Sequence, residues 1–142
     1  MKAVDIIEIA RDYKRLWHTN NPYEIADRLG IQVLRTGSAV KDFTAHTIKM
    51  AGYPTIITIN ARYSEEAARV LCAHELGHAL LHGAGVNHFA ITEANVSTSV
   101  EYEANLFAVA LLSDDAIDSQ LSVPLARMNN YLLKTILDYN MR

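Results

Sequence analysis

Two imidazoles and a carboxylate stand at a spacing that could hold a metal ion and use it: His74-Glu75-Leu76-Gly77-His78, an HExxH motif. Residues four apart on a helix share a face, with β-carbons about 5 to 6 Å apart, so both rings can converge on one Zn²⁺ at about 2.0 to 2.1 Å. Glu75 is turned about 100° from His74 by the helical period. It can reach a water beside the ion without ligating it, as a general base must. The competing reading makes His74 and His78 hydrogen-bonded core histidines, with Glu75 an exposed helix residue. On an otherwise apolar helix that reading would desolvate a carboxylate for nothing, so the metal reading is preferred.

A catalytic zinc takes three protein ligands and keeps one position open. His82 continues the i, i+4 series, but it lies about 12 Å along the axis from His74. That is too far to share an ion on a straight helix, and His82 reads instead as a cation suited to the helix C-terminus. A third histidine ten residues after the first is also missing, because position 84 is alanine. Glu101 is preferred, in the helical stretch Glu101-Tyr-Glu-Ala-Asn-Leu-Phe-Ala. Glu103 and His88 stand as alternatives, and Thr98 with Glu101 also fits a capping box. Asn105, one turn after Glu101, is spaced to accept the outer N–H of a ligating imidazole. Cys72 lies about 200° around the helix from His74 and reads as core.

These residues need elements to position them. Ile6, Ile9, Ala10, Tyr13 and Leu16 recur at helical spacing, predicting a helix over 3–17 with a charged outer face. A short helix follows, with Asn21 as cap, Pro22 in its first position, Glu24 completing a capping box and Gly30 at its exit. Three β-branched stretches, Ile31-Gln-Val-Leu, Phe43-Thr-Ala-His-Thr-Ile and Thr55-Ile-Ile-Thr-Ile, predict strands, the last two as a hairpin. Ser64 caps a helix reaching His82, with Glu65 and Glu66 in its positive first turn. This helix is apolar nearly all round and belongs in the interior. Helices over 99–112 and 124–140 complete an α+β fold, in which a small three-stranded sheet packs on a helical core with the HExxH helix central.

The chain has 142 residues, half of them hydrophobic, with 6 Gly and 3 Pro, and reads as one domain over 1–142. A chain of this length removes roughly 70% of its unfolded surface from water, so a metal is not needed merely to hold it together. Thirteen Lys and Arg against sixteen Asp and Glu give a net charge of −3 with no basic stripe, which disfavours direct nucleic-acid binding. The single cysteine excludes an internal disulfide and a cysteine-only zinc cluster. Charges throughout residues 1–20 argue against an export signal, and no apolar run approaches the roughly 18 residues that cross a bilayer. The expected location is the cytoplasm.

The sequence His74-Glu-Leu-Gly-His-Ala-Leu-Leu-His82, followed by Glu101-Tyr-Glu-Ala-Asn-Leu-Phe-Ala-Val-Ala-Leu-Leu112, resembles the ImmA/IrrE family of metallopeptidases. The stretches starting at Pro22 and Ile56 share the likeness, which spans about residues 20–112, the expected catalytic core. The resemblance implies a zincin-like core and a gluzincin-type ligand set of His74, His78 and Glu101 around Zn²⁺, with Glu75 as the catalytic base. Family members often follow Leu-Leu with Met-Pro, where this chain has Ser113-Asp114. No helix-turn-helix or sensor domain is visible after residue 112, so the chain resembles the bare peptidase. Members typically act inside bacteria, often encoded by phages or mobile elements, and cut a DNA-binding repressor. The implied function is therefore a zinc metalloendopeptidase acting on a helix-turn-helix repressor. The alternative is a zinc-containing anti-repressor that binds its target without cutting. His88, Tyr63 and Tyr102 are candidate oxyanion donors, and the strand at 55–60 is a candidate edge for an extended substrate.

Overall fold

The computed structural model describes residues 3–36, 44–83, 85–89 and 99–112. In chain order the elements are α1 (Ala3–Trp17), α2 (Pro22–Arg28), β1 (Gln32–Thr36), β2 (Ala45–Lys49), β3 (Ile56–Asn60), α3 (Glu65–Leu81), β4 (Gly85–Phe89) and α4 (Ser99–Leu112). The fold is α+β as expected; the helix expected over 124–140 lies outside the described residues. No described helix is long and apolar enough to cross a membrane.

Helix α1 buries Ile6, Ile7 and Ala10, whereas Leu16 is 62% exposed. The buried face keeps Ile6 and Ala10 of the expected stripe and adds Ile7, with Ile9, Tyr13 and Trp17 partly buried against the core. Lys14 lies on the inner side and donates from Nζ to the Ala110 carbonyl at the end of α4 (2.9 Å), supplying one of the partners that a helix C-terminus lacks. In α2, Asn21 Oδ1 accepts from the Tyr23 N–H (3.0 Å), and Pro22 occupies the first turn. The expected capping box is not closed, because the Asn21 N–H donates to Thr19 Oγ1 and Glu24 pairs with Arg28 instead. The chain leaves α2 through Gly30 at φ +74, a conformation that favours glycine.

The sheet has four strands in the order β1-β3-β2-β4, one more than the sequence announces. Strands β2 and β3 form the expected antiparallel pair, with Ala45 opposite Ile59, while β1 runs parallel to β3. The added strand β4 pairs antiparallel with β2, setting Ala45 opposite Phe89 and Lys49 opposite Gly85. Strand β3 therefore has a neighbour on both sides and cannot be a substrate edge. Among the described residues the edges are β1 and β4.

Helix α3 starts at Ser64, whose Oγ accepts from the Ala67 N–H (3.2 Å). Its residues from Leu71 to Ala79 are all buried, against the sheet on one side and α4 on the other. Lys49 of β2 closes its far end, donating from Nζ to the carbonyls of Ala79 (2.8 Å) and His82 (2.9 Å). Gly77 permits close approach of the two helices. A β-carbon there would stand 3.1 Å from Ala104 Cα and 3.2 Å from the Ala104 carbonyl oxygen.

Candidate metal centre

The close contact at Gly77 draws the first turn of α4 against the middle of α3, and four polar side chains meet in the buried seam. His74, Glu75, His78 and Glu101 are each 5% exposed or less. One donor atom from each of His74, His78 and Glu101 lies within 4.8 Å of the others. His74 Nε2 is 3.0 Å from Glu101 Oε2, and His78 Nε2 is 3.0 Å from Glu101 Oε1. The two imidazoles stand nearly perpendicular, at 83°, with centroids 4.8 Å apart.

Short distances do not make these contacts hydrogen bonds. His78 Nε2 and Glu101 Oε2 are buried and satisfy no hydrogen-bond geometry. Buried polar atoms ordinarily find partners, and convergent nitrogen and oxygen atoms left over in one spot are what a cation would satisfy. The residues present thus fit a divalent metal.

Glu75 stands beside this group in a different environment. Thr47, inward-facing in the middle of β2, donates from Oγ1 to Glu75 Oε1 (2.7 Å) and lies 3.2 Å from the Glu75 carbonyl oxygen. Glu75 Oε2 has no hydrogen bond and faces His74 Nε2 at 3.5 Å. Burial pushes the Glu75 carboxyl up to about 8; His78 and the Thr47 bond oppose this, and the Glu101 charge adds to it. Burial also acts to raise Glu101, but the two imidazoles beside it hold its carboxyl down at about 2. Neighbouring carboxyl groups are thereby driven apart, one toward ionisation and the other toward holding a proton, in the metal-free chain.

The remaining sequence candidates are distributed as follows. Glu103 lies outside the cluster and accepts from His82 Nε2 (2.9 Å). His82 is more than a dipole partner, since its Nδ1 also lies 3.0 Å from Nδ1 of His78. His88 sits on β4 opposite His46, with its side chain outside the described residues. The Tyr63 hydroxyl is committed to Thr44 and Arg62. Tyr102 and Asn105 both hold buried polar atoms. Cys72 is buried, its thiol pushed up to about 12 by burial and by Glu75, as suits a core residue. Sequence reasoning missed Thr47, which is signalled there only as a polar residue on the inward alternation of a strand.

Residues 26–121 match the family model Peptidase M78, described as the IrrE N-terminal-like domain. The chain is also 34% identical over 110 residues to the uncharacterized immunity region protein 2 of Bacillus phage phi105. That similarity covers 73% of this chain and 65% of the phage protein, so the chain spans just under two thirds of its relative's length. Residues 26–121 contain α3 and α4, and with them all four residues of the buried group. This chain belongs to the ImmA/IrrE-type Peptidase M78 family, a family of metallopeptidases.

Proposed function

We propose that the protein is a zinc-dependent metalloendopeptidase that holds Zn²⁺ on His74, His78 and Glu101, uses Glu75 as its base and cleaves a helix-turn-helix repressor. The observation that carries this reading is the buried convergence of two Nε2 atoms and one carboxylate, with Glu75 Oε2 beside them. Two imidazoles and a glutamate are a donor set suited to catalytic zinc. When bound, the metal supplies Lewis acidity toward water and toward the scissile carbonyl.

The chain's own residues manage the proton. With Oε1 held by Thr47, Glu75 keeps Oε2 to take a proton from the attacking water and to deliver it to the departing amine as the C–N bond breaks. Because the carboxyl is buried, its proton affinity is raised toward that of a group poised near neutrality. Strand β4 is the described edge nearest this chemistry, since it pairs with β2, whose Thr47 touches Glu75. It offers main-chain groups to an extended peptide. The family resemblance and a relative named for a phage immunity region support a repressor as substrate.

Glu75→Gln tests the reading. The variant should bind zinc and fold as the wild type does while cleavage falls by about 10²- to 10⁴-fold. Repressor inactivation that survives this substitution intact would instead establish the non-cleaving anti-repressor.

A further inference from the structure

His82 and Glu103 take no part in the chemistry proposed above, yet they are joined to it. His82 lies just beyond the last turn of α3, with Nδ1 3.0 Å from Nδ1 of His78 and Nε2 2.9 Å from Oε1 of Glu103. Both side chains are largely withdrawn from solvent, at 11% and 13% exposure. A chain of three side chains thus runs from the α4 carboxylate to the ring of His78.

Donor and acceptor chemistry gives this chain a direction. A carboxylate only accepts, so the proton between Glu103 and His82 belongs to His82 Nε2. A neutral imidazole protonated on Nε2 carries its lone pair on Nδ1. The proton between the two histidines therefore belongs to His78 Nδ1. His78 is left with a lone pair on Nε2, the atom that faces Glu101 Oε1 at 3.0 Å.

We infer that Glu103 and His82 form an outer pair that locks His78 in its Nδ1–H form and aims the Nε2 lone pair at the metal. The inference rests on the metal reading of His74, His78 and Glu101. His82 and Glu103 are positioning residues, acting through a ligand without touching the ion. A ligating imidazole that donates its second N–H is fixed in tautomer and ring orientation and gains basicity. Here an imidazole is interposed, and the carboxylate at the outer end stands two residues from Glu101. Helix α4 would then supply one ligand directly and steady another from behind.

The test is zinc affinity, measured by competition with a chelator, together with NMR of the zinc-loaded, nitrogen-15-labelled chain. His82→Phe should weaken zinc binding by about 10- to 100-fold. His82→Asn should restore most of the loss, because its side-chain carbonyl can accept from His78 Nδ1. Glu103→Gln should weaken binding in the same direction by less, and it carries the affinity test if His82→Phe does not fold. In the wild type the proton between the two rings should be bonded to His78 Nδ1 and show coupling across to His82 Nδ1. Equal zinc affinity in wild type and variants, or a proton bonded to His82 Nδ1, overturns the inference and leaves the metal reading standing. A folded wild type that takes up no zinc overturns both.

Discussion

Glu101 and Glu103 are two residues apart on one helix and meet different partners, which separates their roles sharply. Elemental analysis should find Glu101→Ala nearly free of zinc, because the proposed third ligand is gone, while Glu103→Ala retains metal with weakened affinity. Thr47 is the other residue whose loss should be specific. Thr47→Val removes the hydroxyl that stabilises the Glu75 carboxylate, and a hydrogen bond to a charged group contributes about 1.5 to 3 kcal/mol. The acid limb of kcat/KM should accordingly move to higher pH by roughly one unit or more. His74, Glu75 and His78 were legible in the sequence because a helix turns spacing directly into a shared face. Thr47 and the His82–Glu103 contact were not, since they depend on which turn of α3 lies against which residue of β2 and α4. That is a tertiary register, and no local period encodes it.

At the level of elements, the seam between α3 and α4 decides how near Glu101 comes to the two imidazoles. Gly77→Ala adds a β-carbon against the Ala104 backbone, which cannot swing aside as a side chain would. Helix propensity gains about 1 kcal/mol from this change, and the overpacking should outweigh it, for a net destabilisation of about 1 to 2 kcal/mol. Thermal unfolding measures the first effect. A parallel loss of zinc affinity would show that the same contact sets the donor distances. Most elements could be read from the chain, because caps such as Asn21 and Ser64 and the β-branched strands are local signals. Strand β4 could not, since Gly85-Val-Asn-His-Phe89 lacks a β-branched run and is recruited by the free side of β2. The face of α1 departs from its apolar stripe only at Leu16, which is exposed, and at Ile7, which is buried, because both are apolar and tertiary packing chooses between them.

For the whole molecule, the buried carboxyl groups link folding to pH when metal is withheld. Glu75 is raised to about 8 in the folded chain and lies near 4.5 when unfolded. Between those values the unfolded state has lost a proton that the folded state keeps, so stability falls as pH rises. Glu101 works in the opposite sense, because its carboxyl is lowered to about 2, and its contribution is lost as pH falls from 4.5 through that value. With a chelator present, stability should therefore be greatest near pH 4.5 to 5 and fall by an amount on the order of a few kcal/mol toward pH 8, a decline that the melting temperature follows. Glu75→Gln should flatten the decline. Zinc at pH 7 to 8 should raise the melting temperature of the wild type, because only the folded chain presents the assembled ligands.

The lysine strut from α1 to the last turn of α4 ties the amino-terminal helix to the element that carries Glu101. Ile6, Ile7 and Ala10 are the buried residues of α1, which packs against α4, and all of them precede residue 26, where the family match begins. A version trimmed to the shared boundaries would keep every donor atom yet lose the buttress behind one of them. The opening fifteen-residue helix is in that sense a foundation for the buried donor group, although it lies wholly outside the stretch that matches the family.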